Sequence, residues 1–139
     1  MPWMLDTTAF SDLMREHPRL QARLSALSPA ERMSLSPVVR GEILHGLARL
    51  PDGQRKEDLQ DKAARLFQAV LCWPITEAVG DHYAEIKLAR QRKGLVLDEN
   101  DLWIAAAARE AGATLVTRDT DFPPDRGAAS RGLVPVTVH

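Results

Sequence analysis

Hydrophobic and polar positions follow two rhythms along this chain: short continuous apolar runs, and longer stretches whose apolar residues recur three and four apart. The short runs predict strands at residues 2–5 and within "RMSLS", "LCWPI", "ATLVTRD" and "GLVPVTV". The longer stretches predict helices. "AFSDLMREH" follows Thr7 or Thr8 as cap and is interrupted at Pro18, and "RLQARLSAL" places Leu20, Leu24 and Leu27 on one stripe. Ser28 and Glu31 in "SPAE" have capping-box spacing. "SPVVRGEILHGLARL" carries the clearest signals, with Ser36 as N-cap, Pro37 in the first turn and "PDGQ" at its end. "KEDLQDKAARLFQAV" is amphipathic, and "EAVGDHYAEIKLARQRK" runs from a Thr76 cap to a stop at Gly94. The alanine-rich "DENDLWIAAAAREAG" has a surface small enough to pack closely on a sheet. Strands alternating with helices imply right-handed crossovers and a mainly parallel sheet covered on both faces, an α/β fold. No repeat, low-complexity tract or linker divides the chain, so residues 1–139 are expected to form a single domain.

Composition narrows the function classes. With 45% hydrophobic and 27% charged residues the chain reads as an ordinary soluble domain. A net charge of -1 gives no global basic field, although a local patch suffices for nucleic acid. Arginine outnumbers lysine among the 18 basic residues, which suits bidentate phosphate contacts and equally reflects arginine-rich codon usage. The single cysteine, Cys72, excludes an internal disulfide; its apolar setting in "AVLCWPI" predicts a buried, inert thiol. No apolar stretch approaches the roughly 18 residues of a membrane span, and the opening lacks the basic region of a signal peptide. The expectation is a cytoplasmic protein.

The candidate chemistry lies in acids at element ends. Ligands of open parallel sheets bind beyond the carboxyl ends of the strands, where Asp6 ends the first strand and Asp119 the fourth. Asp101 opens the alanine-rich helix on the face of Ile104, Ala105 and Ala108. Glu42, one turn into its helix, falls beside Val38, Val39 and Gly46, where an unpaired charge is costly. Each acid has a plainer reading: a turn for Asp6 or Asp119, complementing the helix dipole for Asp101, a pairing with Arg40 for Glu42. Together they converge on one rim, where four carboxylates repel unless a cation joins them. Oxygen-only ligation selects Mg²⁺, or Mn²⁺. There is no HExxH, Cys/His cluster, GxSxG, Walker A loop or GxGxxG motif.

"MLDTTAF", "SPVVRGEILHGLARLP", "GLVLDENDLWIAAAA" and "ATLVTRDTDF" resemble, in order and spacing, the motif blocks of PIN-domain ribonucleases, most closely VapC-like toxins of bacterial type II toxin–antitoxin systems. The resemblance spans nearly the whole chain. It implies a three-layer α/β/α fold and an acidic Mg²⁺ pocket built from Asp6, Glu42, Asp101 and Asp119, with Asp121 able to replace Asp119. Thr117 matches the hydroxyl neighbour of the pocket. "DTT" departs from the family's Asn or Ser after "DT", leaving Thr7 and the hydroxyl of Thr8 as pocket support. The implied activity is metal-dependent RNA hydrolysis leaving 5′-phosphate and 3′-hydroxyl ends. Arg90, Arg92, Lys93 and Arg118 are candidates for binding RNA phosphates. A cognate antitoxin placing a basic side chain among the acids, and a homodimer, complete the expectation. The rivals are a receiver-type phospho-acceptor, for which no lysine follows a late strand, an inactive PIN scaffold, and a DNA substrate.

Overall fold

The structure, a computed structural model, describes residues 3–15, 22 and 33–117 and the backbone of 134–137. The Leu20/Leu24/Leu27 stripe, the "SPAE" capping box, Arg118, Asp119 and Asp121 lie outside the described residues.

Strand β1 (Trp3–Leu5) leads through Asp6 into α1 (Thr7–Met14). Strand β2 (Met33–Leu35) leads through Ser36 into α2 (Pro37–Ala48), and α3 (Gln54–Ala69) follows. Then come β3 (Leu71–Cys72), α4 (Glu77–Arg92), α5 (Glu99–Glu110), β4 (Thr114–Thr117) and β5 (Val134–Thr137). The strands form one sheet in the order β3-β2-β1-β4-β5. The first four are parallel, with Leu5 opposite both Leu35 and Val116. β5 closes the edge antiparallel to β4.

This order positions the site. From β1 the chain steps to β2 and then β3, whereas the next crossover returns over the sheet to β4. Right-handed crossovers therefore put α1, α2 and α3 on one face and α4 and α5 on the other. β1 and β4 are neighbours, and the connection leaving β1 lies on the opposite face from the connection entering β4; this is a topological switch point, and such sheets open a crevice there beyond the strand ends.

The core explains the element choices. β1, β2 and β4 bury Met4, Leu5, Leu35, Leu115 and Val116, as expected of strands covered on both faces. Ala105, Ala106, Ala107 and Ala108 are buried, letting α5 lie close to the sheet. Phe10 of α1, fully buried, stacks on Phe67 of α3 with ring centroids 4.9 Å apart. Gly94 and Gly112 take positive φ (69° and 62°) just after α4 and α5, the left-handed turn that ends a helix with least strain in glycine.

Three expectations are corrected. Asp6, not Thr7 or Thr8, caps α1, and the helix already begins at Thr7. The buried stripe of α2 is Val39, Ile43 and Leu47, so Glu42 flanks it, half-buried, and Gly46 is exposed. Cys72 is exposed rather than buried, because β3 is a two-residue edge strand with a partner on one side only.

Candidate active site

Asp6 lies at the switch point, and every polar group it carries is used by a neighbouring element. Its amide donates to the Val116 carbonyl (3.1 Å), continuing the ladder with β4, and its carbonyl accepts from the Phe10 amide (3.0 Å). Oδ1 accepts from the Ala9 amide at 2.7 Å, the N-cap bond of α1. Oδ2 accepts from the Thr117 hydroxyl, at the end of β4. The residue is only 5% exposed. A buried carboxylate is costly unless hydrogen-bonded, and here strand, helix and neighbouring strand each contribute to holding it.

Glu42 approaches from α2. Ser36 accepts from the Val39 amide (3.3 Å) and Pro37 starts the helix, which fixes the first turn that carries Glu42. Glu42 Oε1 accepts from the Thr7 hydroxyl at 2.8 Å. Thr7 adjoins Asp6, so this bond brings the Glu42 carboxylate to the same rim. Arg40 does not make the expected partner among the described residues; its guanidinium lies over the Phe67 ring, 4.4 Å from the centroid.

Asp101 is the third residue of α5, half-buried. Only a short turn separates α5 from β4, so the helix runs back along the sheet and its first turn lies at the rim where β4 ends. α5 also comes into contact with α2, the helix carrying Glu42 on the other face of the sheet. Thr117 is buried against Asp6, whereas Thr8 is exposed and faces away from the core. Arg92 and Lys93 are exposed and Arg90 half-buried at the carboxyl end of α4, the end from which residues 93–98 return to α5.

The donor chemistry of Asp6, Glu42 and Asp101 is all carboxylate oxygen, the set a hard divalent cation prefers. Among the described residues, no three His, Cys, Asp or Glu side chains lie close enough together to hold a metal ion. A further acid from beyond Thr117, where Asp119 and Asp121 stand in the sequence, suits the same donor set.

One cluster escaped the sequence reading. Lys87 Nζ donates to Glu99 Oε1 at 2.7 Å and to the Tyr83 hydroxyl at 3.0 Å, while the Tyr83 hydroxyl donates to Glu99 Oε2. The bond from Lys87, then that from Tyr83, holds the Glu99 carboxyl below its ordinary range, and Glu99 raises Lys87 in return. The available signal was Tyr83 and Lys87 four apart on one helix, with Glu99 opening the next.

The PIN domain profile matches residues 3–124. Toxin FitB of Neisseria gonorrhoeae is 33% identical over 125 residues, covering 84% of this chain and 87% of its own. Ribonuclease VapC2 of Rickettsia felis is 28% identical over 120 residues, covering 86% and 87%. Among solved structures, VapBC2 of Rickettsia felis bound to a promoter DNA fragment superimposes with a TM-score of 0.77 at 27% identity, covering 86% of this chain and 89% of that one. No helix among the described residues is long and apolar enough to cross a membrane.

Proposed function

Because this chain belongs to the PIN domain family, we propose that it is a Mg²⁺-dependent endoribonuclease, the toxin of a toxin–antitoxin pair. The observation that carries this reading is the convergence at the switch point: Asp6 fixed by Ala9 and Thr117, with Glu42 drawn beside it through Thr7. The family match sets aside the receiver-type alternative.

Asp6, Glu42, Asp101 and Asp119, or Asp121 in its place, would hold Mg²⁺, with Mn²⁺ as a substitute. Bound there, the ion would lower the pKa of an attacking water and neutralise charge developing on the phosphate. The chain's own residues supply position and proton transfer. Asp6 is the fixed reference, its Oδ2 oriented by the Thr117 hydroxyl. Glu42 has Oε1 engaged by Thr7 and accepts the proton of the attacking water on Oε2. Arg90, Arg92, Lys93 and Arg118 bind the phosphates flanking the scissile bond, a contact set that positions without reading sequence.

A cognate antitoxin neutralises the activity by covering the rim and setting a basic side chain among the acids. The two-component complex of the Rickettsia felis relative supports such a partner. So does a cavity of about 480 Å³ between α2 and α3, lined by Leu44, Leu47, Ala63 and Phe67 with Arg40 and Gln60 at its edge. A homodimer in the cytoplasm completes the reading.

The test is cleavage of total cellular RNA by wild type and Asp6→Ala in parallel, with Mg²⁺ and with chelator. Metal-dependent cleavage by the wild type alone establishes the nuclease, and sequencing the new 5′ ends identifies its target. Equal behaviour of the two proteins assigns any cleavage to contamination and leaves a non-catalytic scaffold.

A further inference from the structure

Two polar bridges join α4 to α5: both leave the middle of α4, within residues 83–87, and they reach opposite ends of α5. Distal to the rim, Arg109 Nη1 bonds Glu85 Oε2 at 3.1 Å. At the rim, Lys87 and Tyr83 both grip Glu99, the first residue of α5. Trp103, one turn on, stacks on the Tyr83 ring with centroids 4.1 Å apart and planes 11° from parallel. The Lys87 ammonium also lies over that ring, 5.3 Å from its centroid.

Glu99 and Trp103 are four apart, so they share the face of α5 turned to α4. Asp101 is two residues from each, which puts it about 200° round the helix from both and directs it away from α4. The first turn of any helix is where the backbone lacks internal partners and frays. Here the local cap is a 3.3 Å bond from the Asn100 amide to Asp98. Gripping positions 99 and 103 from behind therefore sets both the height and the rotation of Asp101.

We propose that Tyr83, Lys87 and Glu99 are positioning residues for Asp101, a clamp that fixes this carboxylate for the metal. The inference rests on the reading of Asp101 as a metal-holding acid. As a source of stability the pair is poor, because exposed ion pairs contribute little. As a source of geometry it matters, because metal–ligand distances tolerate only about ±0.2 Å. Residues that orient a ligand typically change metal affinity by about 10–100-fold when removed. The Arg109–Glu85 bridge joins the same two helices with the same chemistry, but Arg109 lies eight residues from Asp101, about 12 Å along the axis.

The decisive comparison is Mn²⁺ binding by calorimetry to the full chain as wild type, Lys87→Met, Lys87→Arg, Tyr83→Phe and Arg109→Met, with thermal midpoints alongside. Lys87→Met and Arg109→Met each delete one positive charge, which by electrostatics alone strengthens cation binding. The clamp requires the opposite at one site only. Lys87→Met should bind Mn²⁺ about tenfold more weakly, Tyr83→Phe should weaken it less, and Lys87→Arg should recover most of the affinity. Arg109→Met should bind as well as wild type or better. RNA cleavage should track these values as a raised Mg²⁺ requirement with little change in the rate at saturation. Mn²⁺ binding by Lys87→Met equal to or tighter than wild type overturns the clamp while leaving the nuclease reading intact. Equal weakening in Lys87→Met and Arg109→Met also overturns it, assigning the effect to hairpin stability. Wild type that binds no Mn²⁺ removes the metal pocket itself, and the clamp with it.

Discussion

The floor and the walls of the proposed metal pocket use the same side-chain chemistry under very different constraint. Asp6, on the floor, is buried and held through its amide, carbonyl and both carboxylate oxygens by β4 and α1. Glu42 and Asp101, on the walls, ride on helices and are half-buried, and Glu42 receives one hydrogen bond among the described residues, from Thr7. Strand-mounted Asp6 cannot shift without breaking the β1–β4 ladder or uncapping a helix. Helix-mounted acids can shift with their helices, so their placement depends on relays such as the Thr7 hydroxyl. In the proposed metal site, the floor would set where a cation sits and the walls would adjust to it.

That contrast predicts a graded series of effects. Asp6→Asn should lower RNA cleavage by about 10³-fold or more, while the amide still caps α1 and the thermal midpoint stays close to wild type. Asp6→Ala should lose the same activity and also about 1 kcal/mol of stability, measured by denaturant unfolding. Thr117→Val removes the donor to a buried carboxylate. It should cost about 1–3 kcal/mol in unfolding and reduce cleavage by about tenfold or more. Thr7→Ala releases a half-buried wall acid, so it should cost less than about 1 kcal/mol and change cleavage by a factor of a few. Equal damage from the Thr7 and Thr117 variants would erase the distinction between floor and wall.

The smallest effect belongs to the surface of the wall. Glu99 is held below its ordinary carboxylate range by the hydrogen bond from Lys87, so its contribution is present above that range and is lost as pH falls through the lower folded-state value. Lys87 is held above its ordinary range by its bonds to Glu99 and Tyr83, so its contribution is present below that range and is lost as pH rises through the higher folded-state value. Between these limits the pair is constant. Thermal midpoints of Lys87→Met should therefore parallel wild type from about pH 5 to 10 and fall less steeply on acidification, a small difference that added salt removes.

Much of this was legible in residue order. Alternating runs revealed the α/β class, and acids at element ends nominated Asp6, Glu42 and Asp101, because strand ends and helix starts of a parallel sheet share one rim; the structure brings Glu42 to Asp6 through Thr7. What stayed hidden depended on packing across elements. That Asp6 caps α1 follows from the backbone turning directly out of β1, which spacing alone does not distinguish from a cap at Thr7 or Thr8. The helical wheel of α2 was off by one position, enough to move Glu42 from the buried stripe to its flank. Cys72 sits in an apolar run that reads as core, yet an edge strand has nothing beyond it. Tyr83, Lys87 and Glu99 are ordinary surface residues until α4 lies against α5.

The hydrogen bond between Thr117 and Asp6 spans 111 positions of the chain. β1 can pair with β2 once residue 35 is available, but the floor of the pocket has no second side until β4 exists. At a synthesis rate of about 5–20 residues per second, some 6–20 seconds separate the emergence of Asp6 from that of Thr117. Throughout that interval the nascent chain carries its acids without the strand that aims them. Asp6 therefore gains its hydrogen bond from Thr117 only after all of α1 to α5 has been synthesised.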